Sequence, residues 1–336
     1  MIESLLSVSS AIFSDGLAPA SPSPEHRALG QARWLAGRLA GATLILMAIG
    51  SATRVMNAGL ACPDWPLCYG QLVPSQQMNL QVFLEWFHRL DASLVGFGTL
   101  GLAGLSLWKR RLLPGWLPWA SLLALGLVMF QGVLGALTVT ELLRFDIVTA
   151  HLATALLFFS VLLSIFAVLI PYRAVGSAGR LRWLGLVAAV LVYGQSLLGG
   201  LVASQWALHQ CLAGSQLCGV MNRHVWGVVP SSLAVLALVV TTLRMPAVSP
   251  VLQRLAKGAA IALTTQAGLG IAAFKLRLQV EPLTVSHQLV GASLLGLLIS
   301  FTILAWRDQL AAAKVVHSNP VLAVASSDDL PTQGMA

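Results

Sequence analysis

Charge is the scarcest commodity in this sequence. Lys, Arg, Asp and Glu make up only 10% of its 336 residues, where a soluble domain carries roughly a quarter. That shortage excludes an ordinary pair of soluble domains. Cysteine is also rare, with four residues at Cys62, Cys68, Cys211 and Cys218. Neither spacing makes a Cys-x-x-Cys knuckle, which argues against zinc. Residues 1–33 lack a cationic stretch ahead of an apolar core, so they do not read as a signal peptide. Their Glu3 and Asp15 argue against a mitochondrial presequence. Paired Asp-rich motifs for a diphosphate and its magnesium are missing, so prenyl transfer is a poor fit.

Apolar residues, by contrast, make up 57% of the chain. Stretches of about 20 nearly uncharged residues are long enough to cross a bilayer. Eight such spans are expected, at 35–57, 84–107, 116–139, 147–170, 183–203, 225–243, 255–274 and 285–306. Backbone in hydrocarbon must satisfy its own hydrogen bonds, so these spans are helices and the fold class is an all-α integral membrane protein. The net charge of +8 does not signal nucleic acid, because fourteen of the twenty Lys and Arg fall on one side of the spans. By the positive-inside rule both termini are cytoplasmic, and a bacterial cytoplasmic (inner) membrane is the simplest address. The ends, 1–34 and 308–336, read as a cytoplasmic tail and a disordered tail.

The cysteines agree with that orientation. Both pairs fall in external loops, an oxidising location that favours two local disulfides, Cys62–Cys68 and Cys211–Cys218. Bracing of the loops and a redox role are both open readings of these bridges.

An internal repeat places four histidines. His88 to His151 is 63 residues and His224 to His287 is again 63, an offset of 136 between the pairs. The expected architecture is therefore two tandem pseudo-symmetric four-helix bundles, 35–172 and 173–307. A Gln-x-x-Leu-Gly pattern recurs at Gln131–Gly135, Gln195–Gly199 and Gln266–Gly270, where small residues let helices or a flat ligand approach. Each histidine precedes the first cytoplasmic cation of its helix by 20 to 22 residues. That is about 30 Å of helix, so all four lie at one level near the external face. Paired imidazoles between facing helices suit a bis-histidine heme in each bundle. Hydrogen bonding across helices is the plainer alternative.

The halves differ in carboxylates. Glu85 stands three residues before His88, where Met221 stands before His224; Asp91 follows His88, where Gly227 follows His224. A carboxylate near membrane depth is a functional candidate, for acid–base work or for polarising a heme edge, or it pairs with a nearby Arg. Arg54, Arg89 and Arg223 flank the same level, as partners for heme propionates or as interfacial anchors.

The segment Thr53-Arg-Val-Met-Asn-Ala-Gly-Leu-Ala-Cys-Pro-Asp-Trp-Pro-Leu-Cys68 closely resembles the first external loop of heme A synthases. Glu85-Trp-Phe-His88-Arg89 resembles that family's Glu-x-x-His-Arg motif. The resemblance covers roughly 35–306 and places the chain in the cysteine-containing branch. It implies an oxidoreductase that converts the C8 methyl of heme O to the formyl group of heme A, for terminal oxidases. His88 and His151 would then be the axial ligands of the substrate heme, beside Glu85 as the catalytic residue. His224 and His287 would hold heme b. Heme O, membrane lipid and an electron donor are the implied partners. The heme O supplier, oxidase assembly factors and a second copy of the chain are further candidates, and nucleic acid is not among them. A diheme b-type electron-transfer protein linked to quinol, or a heme carrier, would share the histidines but gives no reason for Glu85 on one side only.

Overall fold

The computed structural model describes residues 23–203, 216–277 and 279–318, and among these it contains helices and no β-strand. Eight helices follow one another: α1 (Pro24–Val55), α2 (Leu80–Trp108), α3 (Leu117–Thr140), α4 (Phe145–Leu169), α5 (Leu181–Val202), α6 (Gln216–Arg244), α7 (Pro250–Lys275) and α8 (Glu281–Ser318). All the expected spans are helices, and seven of them are long and apolar enough to cross a membrane. The exception is α7, whose Thr264, Thr265, Gln266 and many Gly and Ala dilute its Leu and Ile.

Three boundaries differ from expectation for identifiable reasons. The tail expected at 1–34 becomes helical from Pro24, because Ser23 accepts the His26 amide at 3.2 Å and Pro24 has the fixed φ of a first helical residue. Helix α6 opens at Gln216, ahead of the expected 225, so Cys218 stands in a helix and not in a loop. The disordered tail expected at 308–336 is helical as far as Ser318.

That last difference rests on Asp308, which is fully buried. Its carboxylate accepts the amides of Val175 at 2.7 Å, Ser177 at 2.8 Å and Ala178 at 3.0 Å. The Tyr172 hydroxyl donates to it at 3.2 Å, and burial pushes that phenol up to about 12. Arg307 caps the end of α4 through the carbonyls of Ala167 and Ile170. Helix α8 is thereby fastened to the 170–180 connection, which a sequence pattern for tails cannot reveal.

Packing pairs α1 with α2, α2 with α3, α3 with α4, and α4 back with α1. The same pairings recur as α5 with α6, α6 with α7, α7 with α8, and α8 with α5. Helix α8 also packs on α1 and α4, and α4 touches α5. Lipid tails are as apolar as Leu, so close fit holds such helices together. The buried face of α1 is accordingly Ala28, Ala32, Ala36 and Ala40, at four-residue spacing. Between α4 and α8, Gly296 admits the Phe159 ring so closely that a Cβ would meet it at 3.0 Å.

Candidate functional site

Each of the four histidines lies within the first three turns of an even-numbered helix, and each packs on a glycine of the preceding odd-numbered one. A Cβ on Gly50 would stand 2.8 Å from His88 Cε1, and one on Gly199 or Gly270 would stand 2.9 Å from Cε1 of His224 or His287. At Gly135 the distance to His151 is an ordinary 3.6 Å. Three of these cradles were legible as the glycine of the Gln-x-x-Leu-Gly pattern. Gly50 was missed because Leu46 replaces the glutamine one turn before it. His151 lies within electrostatic reach of His88, and His224 within reach of His287.

The glutamines of the pattern all turn toward a histidine. Gln195 Nε2 lies 3.0 Å from His224 Nδ1 and donates to the His224 carbonyl at 2.6 Å. Gln266 Nε2 lies 3.2 Å from His287 Nε2. Gln131 donates at 2.9 Å to the backbone carbonyl of His151, not to its ring. The second ring nitrogen of His287, Nδ1, is buried without a hydrogen-bond partner, as are Nδ1 of His88 and of His151.

Above His88 the 56–79 loop is bound to α2. Cys62 and Cys68 form the expected disulfide and are buried with Val82 under Trp86. Glu85, only 4% exposed, accepts the Cys62 amide on Oε2 at 2.7 Å and pairs with Arg89 through Oε1 at 2.6 Å. Arg89 spends its remaining donors on the carbonyls of Asp64, Leu67 and Cys62. Asp64 accepts the amides of Tyr69 at 2.6 Å and Gly70 at 2.8 Å, and the Gly70 bond foremost holds its carboxyl below the usual carboxylate range. The second expected bridge, Cys211–Cys218, lies outside the described residues.

Of the other candidates, Arg54 donates from Nη2 to Gln288 at 3.0 Å, next to His287 in the other half, and its Nε is buried without a partner. Arg223 is exposed. Asp91 Oδ2 is buried with no partner. A groove of about 620 Å³ between α1 and α4, lined in part by Arg33, Trp34 and Arg38, lies at the opposite end of α1 from Gly50.

These residues fit a planar metal group with two axial ligands. The donors come as neighbouring imidazole pairs with unpaired ring nitrogens, packed on glycines, and no third His, Cys, Asp or Glu joins them into a cluster among the described residues. Fold and site together define a multi-pass helical membrane protein with two paired-histidine sites at one end of its bundles. A family model described as "Cytochrome oxidase assembly protein" (COX15-CtaA) matches residues 32–299. The chain belongs to that family, the heme A synthase family its loop motif resembles. It is similar to a protein named Heme A synthase from Shewanella oneidensis, 36% identical over 194 residues, covering 51% of this chain and 56% of that protein. Another of that name, from Rhizorhabdus wittichii, is 27% identical over 344 residues, covering 84% of this chain and 95% of that one. A protein named Protoheme IX farnesyltransferase from Halobacterium salinarum is 37% identical over 97 residues, covering 28% of this chain and 20% of its own. The chain thus spans just over half of the Shewanella relative and nearly all of the Rhizorhabdus one.

Proposed function

We propose that this chain is a heme A synthase, an oxidoreductase that converts the C8 methyl of heme O to a formyl group. The observation that carries the proposal is the electrostatic proximity of His88 to His151 and of His224 to His287, each ring packed on a glycine, in a chain of this family. As formal half-reactions, methyl plus water gives alcohol plus two protons and two electrons, and alcohol plus water gives a geminal diol plus two more of each, an external oxidant taking the electrons. Loss of water from the diol leaves the aldehyde.

In this reading residues 35–172 and 173–307 are tandem four-helix units, a view supported by the recurring helix pairings. His88 and His151 ligate the substrate heme. His224 and His287 ligate heme b, which supplies one-electron transfer when bound. Glu85 lies one turn from His88 on the same helix face and is the acid–base candidate, with Arg89 holding it in place. Arg54 is the propionate partner best supported by its unpaired Nε, whereas the donors of Arg89 are committed to the loop. Both termini are cytoplasmic, and the histidines lie near the external face of a bacterial inner membrane. The farnesyltransferase relative supports a link to heme O supply, since part of that protein resembles part of this one.

The test is the pigment extracted from wild-type and Glu85→Ala protein purified from cells that make heme O. Heme A or its hydroxylated intermediate is expected with wild-type, and accumulated heme O with the variant. Heme b alone in both, at two bis-histidine sites, would promote an electron carrier instead.

A further inference from the structure

Helix α1 opens with Arg27, Arg33 and Arg38, and the last two border a groove that the histidine sites do not use. The groove, of about 620 Å³, runs between α1 and α4 along the stretch from Gly30 to Leu44. That stretch of helix is about 21 Å long, and one leaflet supplies roughly half of a ~30 Å hydrocarbon core. A lipid chain therefore matches its length, with the headgroup at the level of Arg33 and Arg38. On the α1 side a Cβ on Gly30 or Gly41 would meet nothing within 4 Å, so these glycines leave space that no neighbouring helix fills. On the α4 side the wall is Phe159, Leu163 and Phe166. Gly50, six residues beyond Leu44, lies on another face of α1, so the groove does not lead to His88.

Charge at the mouth of the groove selects the occupant. The Arg38 guanidinium lies over the Trp34 ring, 4.6 Å from its centroid, and neither Arg33 nor Arg38 hydrogen-bonds or ion-pairs within the described residues. No Asp or Glu lines the groove. An ammonium headgroup finds no counter-charge there, whereas a phosphate finds two guanidiniums with donors to spare. Basic pockets between membrane helices suit anionic headgroups for this reason. A second copy of α1 docked through Gly37 and Gly41 would instead set Arg38 close to its own copy, like charge against like. We propose that the groove holds one anionic phospholipid, its phosphate at Arg33 and Arg38 and an acyl chain along Gly37, Gly41 and Leu44. Leu163 and Phe159 also close on Gly296 of α8, where a Cβ would meet them at 2.9 and 3.0 Å. The bound chain thus backs the part of α4 that joins the two halves.

The test is native mass spectrometry of the purified full chain in detergent, titrated with phosphatidylglycerol or with phosphatidylethanolamine of the same acyl chains. One phosphatidylglycerol should bind about tenfold more tightly than phosphatidylethanolamine. Arg33→Gln combined with Arg38→Gln should remove that preference. Arg111→Gln, a cation at the same end but outside the groove, should keep it. Gly41→Leu, whose side chain enters the open space, should stay helical by circular dichroism yet lose the bound lipid of either kind. Phosphatidylglycerol should raise the thermal midpoint of wild-type protein and leave that of Gly41→Leu unchanged. Equal binding of the two lipids, or an intact preference in the double-arginine variant, would overturn the proposal. So would a wild-type dimer that Gly41→Leu dissociates without added lipid, because a second copy would then be the occupant.

Discussion

A single methyl group distinguishes two kinds of glycine in the bundle walls. At Gly199 and Gly270 an added Cβ would press on the histidine ring at 2.9 Å, so the half-buried ring must turn or the helices move apart. Overpacking of this kind costs about 1–3 kcal/mol. Gly199→Ala and Gly270→Ala should therefore lower bound heme severalfold by pyridine hemochrome assay. Gly135→Ala, with 3.6 Å to spare, should bind as wild-type does. Equal behaviour of all three would show that the cradles do not position the rings. Asp64 makes a prediction in pH. Its carboxyl is held low in the fold, first by Gly70, so its contribution is complete above the ordinary carboxylate range. That contribution is lost as pH falls through the depressed value. Acid should make the 56–79 loop more accessible to protease in wild-type, while Asp64→Asn should start more accessible and change less with pH.

At the scale of elements, the 56–79 loop and α2 behave as one unit. Arg89 joins Glu85 to three carbonyls of the loop, and Trp86 Nε1 donates to Leu72 at 2.7 Å. A hydrogen bond to a charged group is worth about 1.5–3 kcal/mol. Arg89→Ala should accordingly raise proteolysis of the loop more than tenfold, with the Cys62–Cys68 bridge still formed. An unchanged rate would assign the loop's order to the disulfide alone. The opposite end of the molecule has its counterpart in Asp308, which gathers three loop amides and the Tyr172 hydroxyl. Asp308→Ala leaves those donors without their acceptor, at a cost on the order of 3 kcal/mol, and should lower the thermal midpoint of unfolding by several degrees. The sequence marked Glu85 as exceptional from its place beside His88. That its oxygens meet Cys62 and Arg89 depends on a loop returning over the helix, which no helical periodicity encodes.

For the whole molecule, the question is how α1–α4 and α5–α8 are joined. Helix α8 answers it by packing on α1 and α4 as well as on α5 and α7, and Arg54 reaches Gln288 beside His287. Contact between the halves therefore runs close to both histidine pairs. Orientation in the membrane is tested from outside. Gln76→Cys, in the exposed external loop, should react with an impermeant maleimide in spheroplasts. Gly115→Cys, between α2 and α3, should react only after lysis. The reverse pattern would invert the topology and put the histidines at the cytoplasmic end.

What the sequence determined by itself follows from short-range chemistry and counting. A shortage of charge and long apolar runs dictate helices in lipid, and eight helices stand near the expected places. The 63-residue spacing that His88–His151 and His224–His287 share set the ligand candidates, and two close cysteines in one loop gave Cys62–Cys68. Tertiary structure alone decided the rest, because it depends on which groups from distant segments meet. Gly50 is a cradle only because His88 from another helix lies on it. Asp308 ends a supposed tail only because loop amides converge there. Gln131 and Gln195 both donate to the backbone carbonyl of a histidine, yet Gln195 and Gln266 also lie within reach of a ring nitrogen and Gln131 does not. The difference lies in how each pair of helices is set side by side, a matter of packing that a linear motif does not record.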